Sequence, residues 1–229
     1  ATARHNTLMV RQEQFHRTPR ATLVVDTEPL PYQGSYVGSD APTPIPNFQD
    51  APGTTTPCFD WNIGAVISMG AHLAEQGYDL EVLDETGRPL TDAAPGAPGP
   101  GTGLFTGPHA AEDLQLSLAS VGLRPAPPRG QKTAADSRDF SPRGGNNPLL
   151  LLTGAPTGER AEAWVQRIGT HRSVMVFLVA SRPGATWAGT RVFRTAGWTA
   201  VPVDAKTPLA DAWLELAVRE RRTGARGRA

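Results

Sequence analysis

Short apolar runs recur along the chain, and each has the length and the β-branched or leucine-rich content of a buried strand. They span residues 23–27, 78–83, 149–152, 173–180 and 199–203. Apolar residues at helical spacing follow them at residues 61–75, 110–121, 158–168, 186–196 and 208–221. Strands that alternate with helices need crossover connections, which place the strands side by side in parallel. The pattern therefore predicts an α/β fold, a doubly wound and mostly parallel sheet with helices on both faces.

Stretches rich in proline and glycine interrupt this alternation at residues 29–57, 93–107 and 124–148. Proline removes a backbone donor and both residues break regular structure, so these stretches are predicted loops. We predict a lead-in segment over residues 1–20, a single domain over residues 21–221, and a basic, flexible tail over residues 222–229.

The composition argues against several classes of function. The 229 residues include 22 basic and 22 acidic side chains, which give no net charge and no electrostatic case for nucleic-acid binding. Cys58 is the single cysteine, so the chain contains no internal disulfide, and a reducing compartment is the simpler expectation. No apolar run approaches the roughly 20 residues that a membrane-spanning helix needs.

The candidate chemistry lies where the first predicted strand ends, at Asp26, Thr27 and Glu28. In open α/β sheets the carboxyl ends of the strands border the crevice where ligands and metals bind. Thr153 follows the predicted strand at 149–152 and is expected at the same edge. The sequence therefore predicts an interaction crevice formed by Asp26, Thr27, Glu28 and Thr153.

The beginning of the chain carries a recognisable order of motifs. Residues 1–4 read ATAR, residues 8–11 read LMVR, and the strand that follows ends in Asp26 and Thr27. This order resembles the bacterial family catalogued as domain of unknown function fifty-eight. The resemblance is specific over residues 1–30 and looser over residues 59–85. It implies a carboxyl-terminal von Willebrand factor A-like domain, which has a Rossmann-like sheet.

A von Willebrand factor A domain binds a divalent cation through Asp-x-Ser-x-Ser after its first strand, with a threonine and an aspartate from later loops. The aligned positions here hold Asp26, Glu28 and Leu30. Mg²⁺ requires oxygen ligands, and Leu30 offers none, while Glu28 is longer than the serine that it replaces. Thr153 is the one oxygen-bearing side chain immediately after the strand at 149–152. The resemblance therefore implies a degenerate site, and we predict no metal, with Asp26 accepting hydrogen bonds from loop amides instead.

Two further kinds of site lack their motifs. Residues 154–158 read GAPTG before a predicted helix, a position that favours anions, but the spacing fits neither G-x-G-x-x-G nor G-x-x-x-x-G-K-[ST]. Cys58 and His72 would lie about 21 Å apart along an ideal helix, which is too far for a catalytic dyad. We therefore predict no cofactor and no catalytic residue, and expect that the protein is not an enzyme.

The resemblance also implies partners and a location. Genes of this family commonly lie beside one for a MoxR-type AAA ATPase, and their products are linked to complex assembly or a chaperone-like role. Two membrane-spanning helices usually precede the region that this chain covers, so the resemblance implies the cytoplasmic side of the cell membrane, with membrane contact only through an upstream region. We predict a non-enzymatic protein-interaction module. A divalent-cation-dependent adhesion or sensing domain and a nucleotide-binding enzyme on a Rossmann-like sheet stay open as alternatives.

Overall fold

The computed structural model describes most of the predicted domain. The described residues are 18–32, 55–90, 103–124, 147–169, 171, 173–182 and 184–226. The predicted lead-in segment up to residue 17, most of each predicted Pro- and Gly-rich loop, and residues 227–229 lie outside this part of the chain.

A six-stranded sheet forms the centre of the described fold. Its strands are β1 (Arg20–Val25), β2 (Asp79–Asp84), β3 (Leu104–Phe105), β4 (Leu149–Thr153), β5 (Val174–Val179) and β6 (Thr199–Val203). They lie in the order β3-β2-β1-β4-β5-β6. The short strand β3 is antiparallel to β2, and all the other neighbouring pairs are parallel. The predicted mostly parallel sheet is therefore confirmed.

The helices follow in the predicted order: α1 (Pro57–Glu75), α2 (Ala110–Leu118), α3 (Gly158–Ile168), α4 (Trp187–Thr195) and α5 (Leu209–Arg226). A short 3₁₀ turn, Leu30–Tyr32, precedes α1. Helix α5 continues through residues 222–226, so this part of the predicted flexible tail is helical.

The side chains of β1 show that helices cover both faces of the sheet. Leu23 and Val25 belong to the apolar cluster that includes residues of α1, α2 and α5, whereas Val24 belongs to the cluster that includes residues of α3 and α4. Successive side chains of a strand point to opposite faces. Because both faces are buried, the strand reads as a continuous apolar run, and the fold is doubly wound and Rossmann-like.

Strands β1 and β4 are neighbours in the middle of the sheet, and the chain leaves them in opposite directions. Helix α1 and strand β2 follow β1 on one side, while α3 and β5 follow β4 on the other. Loops that diverge in this way leave a crevice at the carboxyl ends of the strands. Val25 pairs with Leu152 in the parallel register. The next residues, Asp26 and Thr153, therefore meet at this crevice.

Helix α1 begins at Pro57, earlier than the apolar spacing predicts. Its N-cap is Thr56, whose side chain accepts a hydrogen bond from the backbone nitrogen of Phe59 at 3.1 Å. Proline fits the first turn because no backbone donor is needed there. Asp60 lies within the first turn, where a negative charge favours the helix. Asn62 of α1 lies beside the loop that follows β1.

Candidate functional site

Three of the four residues of the predicted crevice lie together where β1 and β4 end. The Oγ1 of Thr153 donates a hydrogen bond to Oδ2 of Asp26 at 2.7 Å, and both side chains are fully buried. The backbone nitrogen of Asp26 donates to the carbonyl of Leu152 at 2.9 Å, which continues the ladder between the strands. Glu28 donates its backbone N–H to Oδ1 of Asp26 at 3.2 Å. We call residues 26–32 and 153–160 the rim.

Arg160 supplies the cation of the rim. From the first turn of α3, its Nη2 donates to Oδ1 of Asp26 at 2.7 Å and its Nε lies 3.4 Å from Oδ2 of the same carboxylate. Its Nη1 contacts Oε2 of Glu28. A guanidinium that holds a carboxylate with two nitrogens combines charge with a fixed geometry. Asp26 is thus bound by a positive charge from its own chain.

The electrostatics of Arg160 agree with this role. Burial lowers the pKa of the guanidinium, but the charges of Asp26 and Glu28 and their hydrogen bonds outweigh it and hold the pKa above its ordinary value. The start of α3 fixes the backbone of Arg160, because Oγ1 of Thr157 caps the helix by accepting from its backbone nitrogen at 3.3 Å, and the two carboxylates hold its side chain. Arg160 therefore carries a permanent positive charge at a fixed place.

Thr27, the fourth predicted residue, faces away from this cluster. Its backbone nitrogen and Oγ1 both donate to Oε2 of Glu85, at 2.9 and 2.7 Å. Burial, followed by the charges of Asp26 and Asp84, raises the pKa of Glu85 to about 7, and the two bonds from Thr27 only partly oppose this. Glu85 was missed at the sequence level because it reads as part of a turn after the second strand.

The loop after β1 closes over the loop after β4. The carbonyl of Pro31 accepts a hydrogen bond from the backbone nitrogen of Ala155 at 2.7 Å, and a Cβ at Gly154 would overlap that same carbonyl. Only glycine therefore fits at residue 154. The amide of Ala155, which could otherwise bind an anion before α3, is already paired.

Tyr32 holds the loop after β1 in place through buried contacts. Its hydroxyl donates to the carbonyl of Asp26 at 2.7 Å and accepts from Nδ2 of Asn62 at 2.8 Å. Its ring packs edge-on against Phe59, with ring centroids 5.5 Å apart. These buried contacts join β1 to α1. The crevice at the carboxyl ends of β1 and β4 is therefore filled by the chain's own residues.

The arrangement bears on each kind of chemistry considered above. Within the described residues, no group of three or more His, Cys, Asp or Glu side chains could hold a metal ion. The carboxylates of Asp26 and Glu28 bind a guanidinium instead. Cys58 is buried, with its Sγ 4.0 Å from Oγ of Ser181, and His72 is exposed in the last turn of α1. The rim thus combines buried, internally paired charges with a small exposed surface.

No protein-family model and no curated protein matches this sequence. No helix in the described part of the chain is both long and apolar enough to cross a membrane.

Proposed function

We propose that this domain is a non-enzymatic protein-interaction module that docks a partner protein at the rim. One observation carries the proposal: the crevice where α/β domains of this strand order bind ligands is filled by Arg160, Pro31 and Tyr32 of the same chain. Charges that are already paired serve to hold a surface in place more readily than to activate a substrate. Docking needs rigid placement by the sheet and no reactive group.

The exposed part of the rim has the mixed character of an interface. Leu30 is 58% exposed beside the buried Pro31. The side chains of Arg160 and Glu28 are 20% and 21% exposed, so their ion pair is partly accessible. An apolar group next to a partly desolvated ion pair can contribute both affinity and specificity.

The partner and the location follow from the resemblance to the domain of unknown function fifty-eight family. On that basis the partner is a MoxR-type AAA ATPase, and the process is complex assembly or a chaperone-like function. The same resemblance supports a von Willebrand factor A-like domain with a degenerate metal site, in a bacterial protein held at the cytoplasmic side of the cell membrane. The Rossmann-like sheet and the internally paired Asp26 agree with these proposals.

A substitution at the exposed leucine tests docking without disturbing the core. Leu30→Glu is expected to weaken binding to the proposed partner, a MoxR-type AAA ATPase, by about tenfold or more, as loss of an apolar interface anchor does. Binding is measured by biolayer interferometry on the folded domain. Leu116→Glu is the matched control, because Leu116 is 68% exposed on α2, outside the rim. Equal binding by wild type and Leu30→Glu, or no binding by wild type, would contradict the proposal.

The nucleotide-binding alternative draws on the strand order, which is that of dinucleotide-binding domains. The loop that would receive the phosphates is covered by Pro31, and the amide of Ala155 is paired. ATP, ADP and NAD at millimolar concentration should therefore shift the melting temperature by less than about 1 °C in a thermal-shift assay. A shift of several degrees with any of these nucleotides would favour the enzyme instead.

A further inference from the structure

Three carboxyl groups lie around the end of β1, and within the described part of the chain arginines pair with two of them. Arg160 binds Asp26, and Nη1 of Arg124 lies 3.7 Å from Oδ2 of Asp84. No ion pair among the described residues includes Glu85, although the charges of Asp26 and Asp84 both act on it. Like charges in a partly buried space oppose one another's ionisation. A proton on Glu85 balances the cluster.

The turn after β2 fixes the backbone of Glu85 but not its side chain. Oδ1 of Asp84 accepts hydrogen bonds from the backbone nitrogens of Thr86 and Arg88, at 2.9 and 3.0 Å, and these bonds close the turn. The described hydrogen bonds of the Glu85 carboxyl group both go to Thr27. Because Glu85 is only partly buried, its carboxyl group can reach solvent by a change of rotamer while the turn stays in place.

The described hydrogen bonds of Thr27 run to the β2 side of the sheet. Its backbone nitrogen and Oγ1 donate to Glu85, and its carbonyl accepts from the backbone nitrogen of Arg124 at 2.9 Å. Asp26, one residue earlier, instead donates its backbone N–H to the carbonyl of Leu152 on the β4 side. Movement of Glu85 would therefore break two of these bonds of Thr27 and leave the ladder at Asp26 intact.

The other charged and titratable groups around Glu85 keep their contacts as the pH passes through neutrality. Arg124 and Arg160 are guanidinium groups, which stay protonated in proteins, and Arg160 also contacts Glu28. Burial and the charge of Asp26 raise the pKa of Tyr32 well above its ordinary value. The pKa of Glu85 is about 7, so its charge changes near neutral pH.

We propose that Glu85 is a proton-controlled latch that holds Thr27 at the end of β1. Its Oε2 accepts both bonds from Thr27, which leaves Oε1 for the proton. When the proton leaves, the carboxylate faces Asp26 and Asp84 without an arginine of its own, turns to solvent and releases Thr27. The latch is a property of the fold, so it does not depend on docking at the rim.

Hydrogen exchange at the backbone N–H of Thr27, followed by NMR from about pH 5.5 to about pH 8, tests the latch. Protection, corrected for the intrinsic exchange rate, should fall by about tenfold or more over this range. Opening lets the carboxyl group of Glu85 regain an ordinary pKa, so rising pH favours the open form until the pH passes the raised pKa. The backbone N–H of Asp26 is the internal reference and should keep its protection, because its bond to Leu152 is unchanged.

Glu85→Gln should keep Thr27 protected at every pH, because glutamine accepts the same two bonds and does not ionise. Glu81→Gln is the matched control, since Glu81 also lies on β2 and accepts from Oγ1 of Thr22 on β1 at 3.2 Å. It should follow the wild-type course.

Three results would overturn the proposal: constant protection of Thr27 in the wild type, the same decline in folded Glu85→Gln, or an equal decline at Asp26. If circular dichroism shows that Glu85→Gln is unfolded, carbon-13 NMR titration of the Glu85 carboxyl group in the wild type decides. Its midpoint should lie near pH 7, where the loss of protection levels off, and a midpoint near 4.5 would contradict the latch.

Discussion

Arg160→Met is expected to lower the free energy of unfolding by about 3–5 kcal/mol at neutral pH, because removal of the guanidinium leaves the carboxylate of Asp26 as an unpaired buried charge. Asp26 is fully buried, and Arg160 provides the positive charge that contacts it. Methionine preserves much of the length of the side chain, so the loss reports the charge more than the packing. Urea unfolding followed by circular dichroism measures the effect.

Arg167→Met is the matched control on the same helix, since Arg167 lies over the ring of Trp164 at 5.6 Å and is exposed to solvent. It should cost less than about 1 kcal/mol. Asp26→Asn should recover part of the loss when added to Arg160→Met, because the unpaired charge is then gone. A loss below about 1 kcal/mol for Arg160→Met would show that the rim does not depend on this ion pair.

Glu85→Gln is expected to remove a pH dependence of the free energy of unfolding. In the wild type this free energy should fall by on the order of 3 kcal/mol as the pH rises from the ordinary pKa of a glutamate to the raised pKa of Glu85. That pKa is about 7 in the folded protein, against 4.5 in the absence of its surroundings. A folded state that binds the proton more tightly is favoured at low pH. The contribution of Glu85 to stability is therefore fully present below pH 4.5 and is lost as the pH rises through about 7. Glutamine can still accept both hydrogen bonds from Thr27 through its carbonyl oxygen.

The measurement is the free energy of unfolding of wild type and Glu85→Gln at several pH values from 4.5 to 8. The difference between the two proteins should change steadily up to pH 7 and then level off, with the variant gaining relative to wild type as the pH rises. Glu159→Gln, at an exposed position of α3, should retain the pH dependence of the wild type. Parallel curves for wild type and Glu85→Gln would contradict the raised pKa.

The alternation of apolar runs and helical spacing was sufficient to predict the doubly wound sheet, because strands covered on both faces carry a strong signal. Strand β3 gave no such signal, since Leu104 and Phe105 are too few to show a period. Its place at the sheet edge depends on pairing with β2, a contact between distant segments. The sequence does not fix the start of α1, because Thr56 and Asp60 are both residue types that cap helices and Pro57 suits a first turn.

The carboxyl ends of neighbouring parallel strands meet at one edge, so the meeting of Asp26 and Thr153 could be predicted from strand ends alone. Thr27 follows Asp26 directly and points to the opposite side, which the alternation of a strand also explains. Arg160 could not be assigned in this way, because its contact with Asp26 spans 134 positions of sequence. The available signal was a basic residue in the first turn of the helix that follows β4.

Calorimetric titration with Mn²⁺ tests most directly whether Arg160 is the resident cation of the Asp26 crevice. The wild type should give no saturable heat at millimolar metal, because the guanidinium already occupies both oxygens of Asp26 and contacts Glu28. A stoichiometric isotherm in the wild type that disappears in Asp26→Asn would contradict this account and favour a cation-dependent adhesion domain.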